Sequence, residues 1–369
     1  MKTIRPECAH GIVNRVQNSL FSYQAWPTVA RDENGTLYAV ASGFRVRHVD
    51  AFGKTVMYIS RNGGKTWTPP IVINDTYLDD RDAGILYLGN GKLLVSWFTR
   101  NAEEYRSENH KRLMESASPA GRIAIEGGIK SAAQLPEEHK TIGSYVRLSE
   151  DYGVTWGETY ALPITAPHGP NLCRDGSLIY LGTEHRPVGQ RIGPAQNKLF
   201  RSRDAGKTWQ EVSTIQNPGW LKEGERFCEP HVLELSDGTI LGAVRVEGRN
   251  PFTIATAISK DGGKSWSEFV CTDVSGAPPH LLQHSSGAVI CTFGRREPPY
   301  GAYAMISYDM GKTWSEEYVI DDNTDSRDLG YGATVELADG SLISVYYQRC
   351  PGDDHPSILY TRWQLKNSG

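Results

Sequence analysis

Six four-stranded antiparallel sheets set radially around an axis, an all-β propeller, are predicted by two independent repeats and by the turn chemistry each contains. One repeat reads Ser-x-(Asp/Asn)-x-Gly-x-(Thr/Ser)-Trp and occurs five times, ending at Trp67, Trp156, Trp209, Trp266 and Trp314. The other is an apolar alternating run, a short turn closing on glycine, and a second apolar run. Its six copies are VARDENGTLYAV, LYLGNGKLLVSW, LCRDGSLIYLG, LELSDGTILGAV, LLQHSSGAVICTF and VELADGSLISVYY. Such self-similarity means that one supersecondary unit is stacked several times, because a single copy cannot bury its own apolar face.

Each element follows from its residues. Asp-Gly and Asn-Gly pairs supply the positive backbone angles of a tight hairpin, so each copy of the second repeat reads as two antiparallel strands. The Trp-ending repeat that follows the first five hairpins has turn chemistry of its own, an Asp or Asn able to bond nearby amides and a glycine. Hairpin, third strand, turn and fourth strand make one blade, and radial closure leaves only short protected edges. The sixth unit keeps only ILYTRW, and the residues before Tyr23 are expected to donate a strand that closes the ring. Residues 101–140, rich in Glu, Lys, Arg and His, interrupt blade two between its second and third strands as a polar, helix-compatible insertion. A solvated excursion, a lid and a dimer contact are its candidate roles. The expectation is one propeller domain over residues 1–369.

Bulk properties narrow the function. A net charge of -4 offers no basic stripe for nucleic acid, and no run approaches the roughly 20 apolar residues of a membrane span. The opening MKTIRPECAHG lacks the apolar run of a secretory leader, which gives a cytoplasmic expectation, although a trimmed leader would leave no trace. Cys8, Cys173, Cys228, Cys271, Cys291 and Cys350 have no C-x-x-C spacing, which favours free thiols over disulfides or zinc. No cofactor or metal is expected.

Counting residues back from the hairpin turns locates a site. Glu229 falls opposite Val246, which makes Glu229 and Arg245 neighbours about 5 to 8 Å apart at the open end of their hairpin. The same count places Arg81 near Arg100, His168 near Thr183 and Glu184, Pro278 near Arg295, Tyr331 near Gln348, and Gln24 near Arg45. All the open ends share one face, and the Trp-ending turns lie on the other. That face carries Arg45, Arg47, Arg81, Arg100, Arg186, Arg245, Arg295, Arg296 and Arg349 near strand ends. An arginine-lined mouth on an acidic chain points to an anionic ligand, since the guanidinium fork suits a carboxylate. Glu229 near the axis needs a charge partner or a task. His168 and His280 read as packing or hydrogen-bonding residues.

These residues resemble the sialidase superfamily, whose six-bladed propellers carry such turns, there called Asp boxes. The resemblance covers nearly the whole chain, although Asp boxes also occur in non-enzymatic propellers and other glycosidases. CEPHVLELSDGTILGAVR is similar to the segment with the family's catalytic glutamate and a carboxylate-binding arginine, here Glu229 and Arg245. DLGYGATVELADG is similar to the nucleophile strand, with Tyr331 as the tyrosine, and FGRREPPYGAYAMISYDMGKTW offers Arg295 or Arg296 to the arginine triad.

The resemblance implies an exo-glycosidase that releases a terminal sialic acid or related acidic sugar with retention, Tyr331 attacking as Glu229 takes its proton. The family's acid is an aspartate in the blade-one loop; GFRVRHVDAFGK holds Asp50, with His48 as competitor and as a candidate substrate contact. The family's first arginine is missing, because SYQAWPTVARDENG has Gln24, Ala25 and Trp26 in its place, and Arg45 or Arg81 would have to supply the charge. The departure leaves open a glycan- or protein-binding propeller without chemistry, or another glycosidase or lyase on the same scaffold. Oligomeric state is not set by any of these residues.

Overall fold

The second strand of each unit is buried along most of its length, as in Leu342–Gln348, where every residue is buried. A strand of this kind is covered on both faces, and in the computed structural model the cover comes from the adjoining blades. The model describes residues 1–51, 53–100, 111, 114–115, 117–140, 142–185 and 195–366. One core cluster joins Leu241, Ala243 and Ile254 of blade four to Leu281, Val289, Phe293 and Met305 of blade five. Another joins Val40 and Met57 of blade one to Ile85 and Val95 of blade two. The stabilising apolar area therefore lies between the sheets.

The six sheets form in chain order. Blade one is Tyr23–Arg31, Leu37–Arg45, Lys54–Ser60 and Ile71–Asn74; blade two is Asp79–Gly89, Lys92–Arg100, Ser144–Ser149 and Thr159–Leu162. Blade three has an interrupted inner strand, Ile164–Thr165 and Asn171–Leu172, followed by Leu178–Glu184, Asn197–Ser202 and Gln210–Thr214. Blade four is Arg226–Glu234, Ile240–Glu247, Thr253–Ser259 and Val270–Cys271. Blade five is Ala277–Gln283, Val289–Arg295, Gly301–Ser307 and Glu316–Asp321, and blade six is Gly330–Glu336, Leu342–Gln348 and Ser357–Trp363. The inner strands touch in sequence from blade one to blade six and back to blade one, which closes the ring.

Closure is made as the sequence requires. Ala9–Asn14 pairs antiparallel with Ser357–Trp363 as the outer strand of blade six. Lys2–Ile4 adds an unanticipated fifth strand, parallel to Glu316–Asp321, at the rim of blade five. The insertion is partly helical, with Pro119–Ala133 capped by the Ser118 hydroxyl, which accepts from the Gly121 amide. Its buried Ile125, Ile129 and Ala132 pack on Val46 of the blade-one loop. Residues 101–110 of the insertion lie outside the described residues.

The Trp-ending turns join third to fourth strands through one bonding scheme. At Ser202 the Gly206 amide donates to the hydroxyl at 2.8 Å, while the Thr208 amide and hydroxyl donate to Asp204 at 2.9 and 2.6 Å. The same contacts recur at Ser149, Ser259 and Ser307 with Asp151, Asp261 and Asp309. Trp209 lies against Tyr180, ring centroids 6.0 Å apart, at the end of the blade remote from the open strand ends.

Blades two and three meet so closely that Gly84 has no room for a side chain, since a β-carbon there would stand 2.5 Å from the Gly169 nitrogen and from the His168 carbonyl carbon. Both obstacles are backbone. Gly84→Ala should therefore destabilise the propeller by at least roughly 1 to 3 kcal/mol, the range for overpacking, read as a lowered urea midpoint.

Candidate functional site

Every inner strand breaks its pairing at the same place. The ladder skips two residues between Ala25 and Thr28, Arg81 and Gly84, Cys228 and His231, Ala277 and His280, and Gly330 and Ala333. The first skipped residue is Trp26, Asp82, Glu229, Pro278 or Tyr331, and His168 holds the same place in the interrupted strand of blade three. Five of the six are left-handed: Trp26 at φ 56°, Asp82 at 49°, His168 at 69°, Glu229 at 48° and Tyr331 at 51°. A non-glycine residue there costs on the order of 1 to 3 kcal/mol, and such strain concentrates at functional sites. Each bulge supplies one axial position per blade.

The bulges also correct the hairpin count. Cys228 pairs with Arg245 and His231 with Ala243, so Glu229 bulges opposite Val244 rather than opposite Val246. Adjacency of Glu229 and Arg245 survives, with Arg245 Nη1 donating to Glu229 Oε2 at 2.7 Å. Tyr331, two blades away, donates its hydroxyl to Glu229 Oε1 at 2.5 Å. Burial opposes the charge on Glu229, but Arg245, the Tyr331 hydroxyl and Arg296 outweigh it and hold its pKa below the ordinary value. The Tyr331 pKa is driven well above its usual value by burial, with the charges of Glu229 and Asp82 adding to the effect. The pair thus rests as a neutral phenol bonded to a carboxylate, and a nucleophile forms only if the proton moves to Glu229 as a bond is made.

Most of the expected arginine cradle is already neutralised. Arg45 is wholly buried and holds Asp79, with Nη2 to Oδ2 at 3.0 Å, the Ser42 hydroxyl at 3.0 Å and the His48 carbonyl at 3.0 Å. It anchors the blade-one loop and does not reach the mouth. Arg295 turns away from the axis onto Glu317, its guanidinium 4.1 Å above the Tyr303 ring. Arg349 pairs with Asp325 at 2.6 Å, and Arg245 is shared between Glu229 and Glu247.

Arg296 does face the site, 5.7 Å over the Tyr331 ring, bonding the Leu329 carbonyl at 3.1 Å and the Tyr347 hydroxyl at 3.4 Å. No carboxylate among the described residues pairs with it. Arg81 lies 4.2 Å over the Trp26 ring, 3.9 and 4.0 Å from Asp82 and Asp79, and Arg100 stacks 5.8 Å over Phe98. Arg47 stands apart from these, beside a recess between the blade-one loop and helix Pro119–Ala133. Arg186 lies outside the described residues.

Asp50 is likewise occupied. Its carboxylate, 2% exposed, accepts from the amides of Val46, Arg47 at 3.3 Å and Ala51 at 2.6 Å, so it shapes its own loop. His48 is nearer the basin. Its Nδ1 lies 3.1 Å from Asp328 and 2.8 Å from the Tyr23 hydroxyl, and its ring meets Trp26 edge-on at 5.1 Å. Trp26 in turn contacts Tyr331 at 6.4 Å and Tyr347 at 6.3 Å.

Nearby, His231 stacks on His280 with centroids 4.7 Å apart, and His168 meets both edge-on at 5.8 and 5.0 Å. Burial pushes all three down, His280 to about 3, so they pack as neutral rings. Leu281 and Thr334 amides donate to His231 and His280. Among the described residues no group of three His, Cys, Asp or Glu is set to hold a metal ion.

A cavity of about 550 Å³ opens on this arrangement, lined by Asp82, Phe98, Arg100, His185, Glu229 and Glu247. Trp26 as the platform between His48 and Tyr331, Asp82 beside Glu229, and Asp328 under three donors were not anticipated from the sequence. A signal existed for two of them: aligning the inner strands on the turn glycines Gly35, Gly91, Gly238, Gly287 and Gly340 puts Trp26, Asp82, Glu229, Pro278 and Tyr331 in one column, with His168 one position nearer its own glycine, Gly176.

The profile of the BNR repeat-like domain matches residues 130–278 and that of the BNR/Asp-box repeat residues 58–69. A protein of unknown function from Dyadobacter fermentans superposes with TM-score 0.75 at 22% identity, covering 97% of this chain and 98% of that one. The NanB sialidase of Streptococcus pneumoniae superposes with TM-score 0.67 at 15% identity, over 96% of this chain and 70% of that one. The intramolecular trans-sialidase of Ruminococcus gnavus gives 0.65 at 15%, over 94% and 95%.

In sequence the chain is 28% identical over 279 residues to a xyloglucanase of Acetivibrio thermocellus, covering 64% of this chain and 30% of that protein. It is 25% identical over 215 residues to a sialidase of Bacteroides fragilis, covering 49% and 38%. The chain therefore spans about a third of the length of the curated relatives it matches.

The Arg45–Asp79 pair has a consequence for stability, because removing one partner leaves a buried charge uncompensated. Asp79→Ala should cost about 3 to 5 kcal/mol in urea unfolding, whereas the double change Arg45→Met with Asp79→Leu should recover most of that loss.

Proposed function

We propose that this sialidase-like propeller of BNR repeats is an exo-glycosidase that releases a terminal sialic acid, or a closely related acidic sugar, with retention of configuration. The observation that carries the reading is the 2.5 Å hydrogen bond from Tyr331 to Glu229 at the axis. An anomeric carbon that already bears a carboxylate repels an anionic nucleophile, and a neutral phenol whose proton leaves only during attack avoids that repulsion. The forming bond is Tyr331 Oη to the anomeric carbon, the bond from that carbon to the glycosidic oxygen breaks with its electron pair on the departing oxygen, which an acid protonates, and the phenolic proton passes to Glu229. Water then hydrolyses the glycosyl-tyrosine and the proton returns.

Arg296 and Arg245 support recognition of the sugar carboxylate from one side. Arg296 is the stronger support because no carboxylate among the described residues holds it, whereas Arg245 must share itself between the ligand and two glutamates. Arg81, laid over Trp26, takes the place of the missing third cation, and Trp26 offers an apolar face to the ring. His48 borders the same basin as a substrate contact. The prior engagement of Arg245 favours a second reading, a propeller that holds an acidic glycan without cleaving it.

The two readings separate on incubation with α-linked sialosides. Release of free sugar that disappears in Tyr331→Phe supports the enzyme; calorimetric binding with no release supports the second reading, and neither binding nor release sinks both. Arg296→Ala is expected to weaken binding of an unsaturated sialic acid analogue by roughly 1.5 to 3 kcal/mol, the value of charged hydrogen bonds, as read by titration calorimetry.

A further inference from the structure

We infer that Asp82 is the proton donor to the departing oxygen, an inference that rests on the glycosidase reading above and adds a catalytic residue to it. Three of the six axial positions carry groups able to move a proton in that reaction, and they alternate around the ring: Asp82 in blade two, Glu229 in blade four and Tyr331 in blade six. Equivalent bulges place them at one height, and Asp82 and Glu229 line the same cavity.

The other described carboxyls around the mouth are committed, Glu247 to Arg245 and Glu184 to Lys198 among them. Glu229 holds Tyr331 and Arg245, Asp79 holds Arg45, and Asp50 caps its own loop. Asp80 accepts from the Thr76 amide and hydroxyl, and Asp328 accepts from Tyr23, Tyr347 and His48. Asp82 is 8% exposed, its Oδ1 is buried, and it accepts no hydrogen bond from a described residue. Its nearest cation, Arg81 Nε, is 3.9 Å away, beyond hydrogen-bonding reach.

The charged and titratable groups around Asp82 are Arg81 on its own strand, Arg45 and Arg100 on neighbouring strands, Tyr180 in blade three, Glu229 in blade four, and Tyr331 and Tyr347 in blade six. Burial first, then the charge of Glu229, push its pKa up to about 6 against the pull of Arg81. It therefore carries a proton in mildly acidic solution while Glu229 remains ionised. Such a divided pair is what acid-assisted departure with base-assisted attack requires.

In the step, the glycosidic bond breaks with its electron pair on the leaving oxygen, which takes the Asp82 proton as Tyr331 bonds to carbon and Glu229 takes the phenolic proton. In the second half Asp82, now a carboxylate, accepts a proton from the attacking water. Charge and protons balance over the cycle.

The test compares two substrates, a sialyl-galactoside with a poor leaving group and an aryl sialoside whose phenol leaves unaided. Asp82→Asn, checked for an unchanged melting temperature, should lose roughly 10²- to 10⁴-fold in kcat/KM on the first and less than about 10-fold on the second. The wild-type loss of activity as pH rises through about 6 should vanish in the variant, while the loss at low pH, from protonation of Glu229, should remain. If Asp82→Asn melts early, Asp82→Ala with added formate stands in, and restored turnover is the expected result. Equal losses on both substrates, persistence of the alkaline limb, or transfer of the leaving-group pattern to His48→Asn would overturn Asp82 as donor and leave the Tyr331 reading intact. A wild-type chain that cleaves neither substrate overturns both.

Discussion

A break in the ladder of each inner strand, left-handed in five of the six, is the constraint on which the site depends. A regular strand directs alternate side chains across its two faces, and in a propeller both faces are filled by neighbouring blades. Only by interrupting the ladder can an inner strand turn a large polar side chain toward the axis. Glu229 and Tyr331 meet at 2.5 Å because two blades a third of the ring apart make the same interruption at the same height. The strain is tolerated because the bulged residues are clamped by close backbone approaches such as Gly84 against Gly169.

Electrostatics then decides what the axis can do. A count of arginines suggests a strongly positive mouth, but Arg45, Arg245, Arg295 and Arg349 each face a carboxylate. Their work is largely structural: Arg45 ties the blade-one loop to blade two, and Arg245 keeps Glu229 ionised in a buried setting. Among the described residues Arg296 faces the axis with no carboxylate on it, and Arg81 and Arg100 lie at its flank over Trp26 and Phe98.

The propeller was legible from residues because its signals are local. Hairpin turns, the Ser202, Asp204 and Gly206 type of turn, and the lack of a fourth strand after ILYTRW each specify a neighbour within a few positions. Glu229, Arg245, Tyr331 and Arg296 were legible through the segments that contain them. The rest was hidden by backbone geometry. Counting across an idealised hairpin assumes a two-residue turn, but Leu235 donates to Thr239 around a longer one, and the bulge then adds a further residue. Asp50 looked like an acid because a loop aspartate carries no mark of where its oxygens point, and here they point at amides of its own turn. Asp82 was concealed in DDRD, where four adjacent charges look alike until the fold assigns Asp79 to Arg45 and Asp80 to Thr76.

Blade six is built from both ends of the fold, with Ala9 set beside Arg362. The loop so closed runs from Ala9 to Arg362, and contacts of that separation form late and slowly. During synthesis Glu229 and Arg245 can find each other within one hairpin, but the phenol that completes the pair belongs to the sheet that latches the circle. A half-made chain thus holds an acid and a cation with nothing reactive between them. The contact between Tyr331 and Glu229 becomes a report that the circle has been sealed, and a chain with a frayed latch would lose it before it was unfolded.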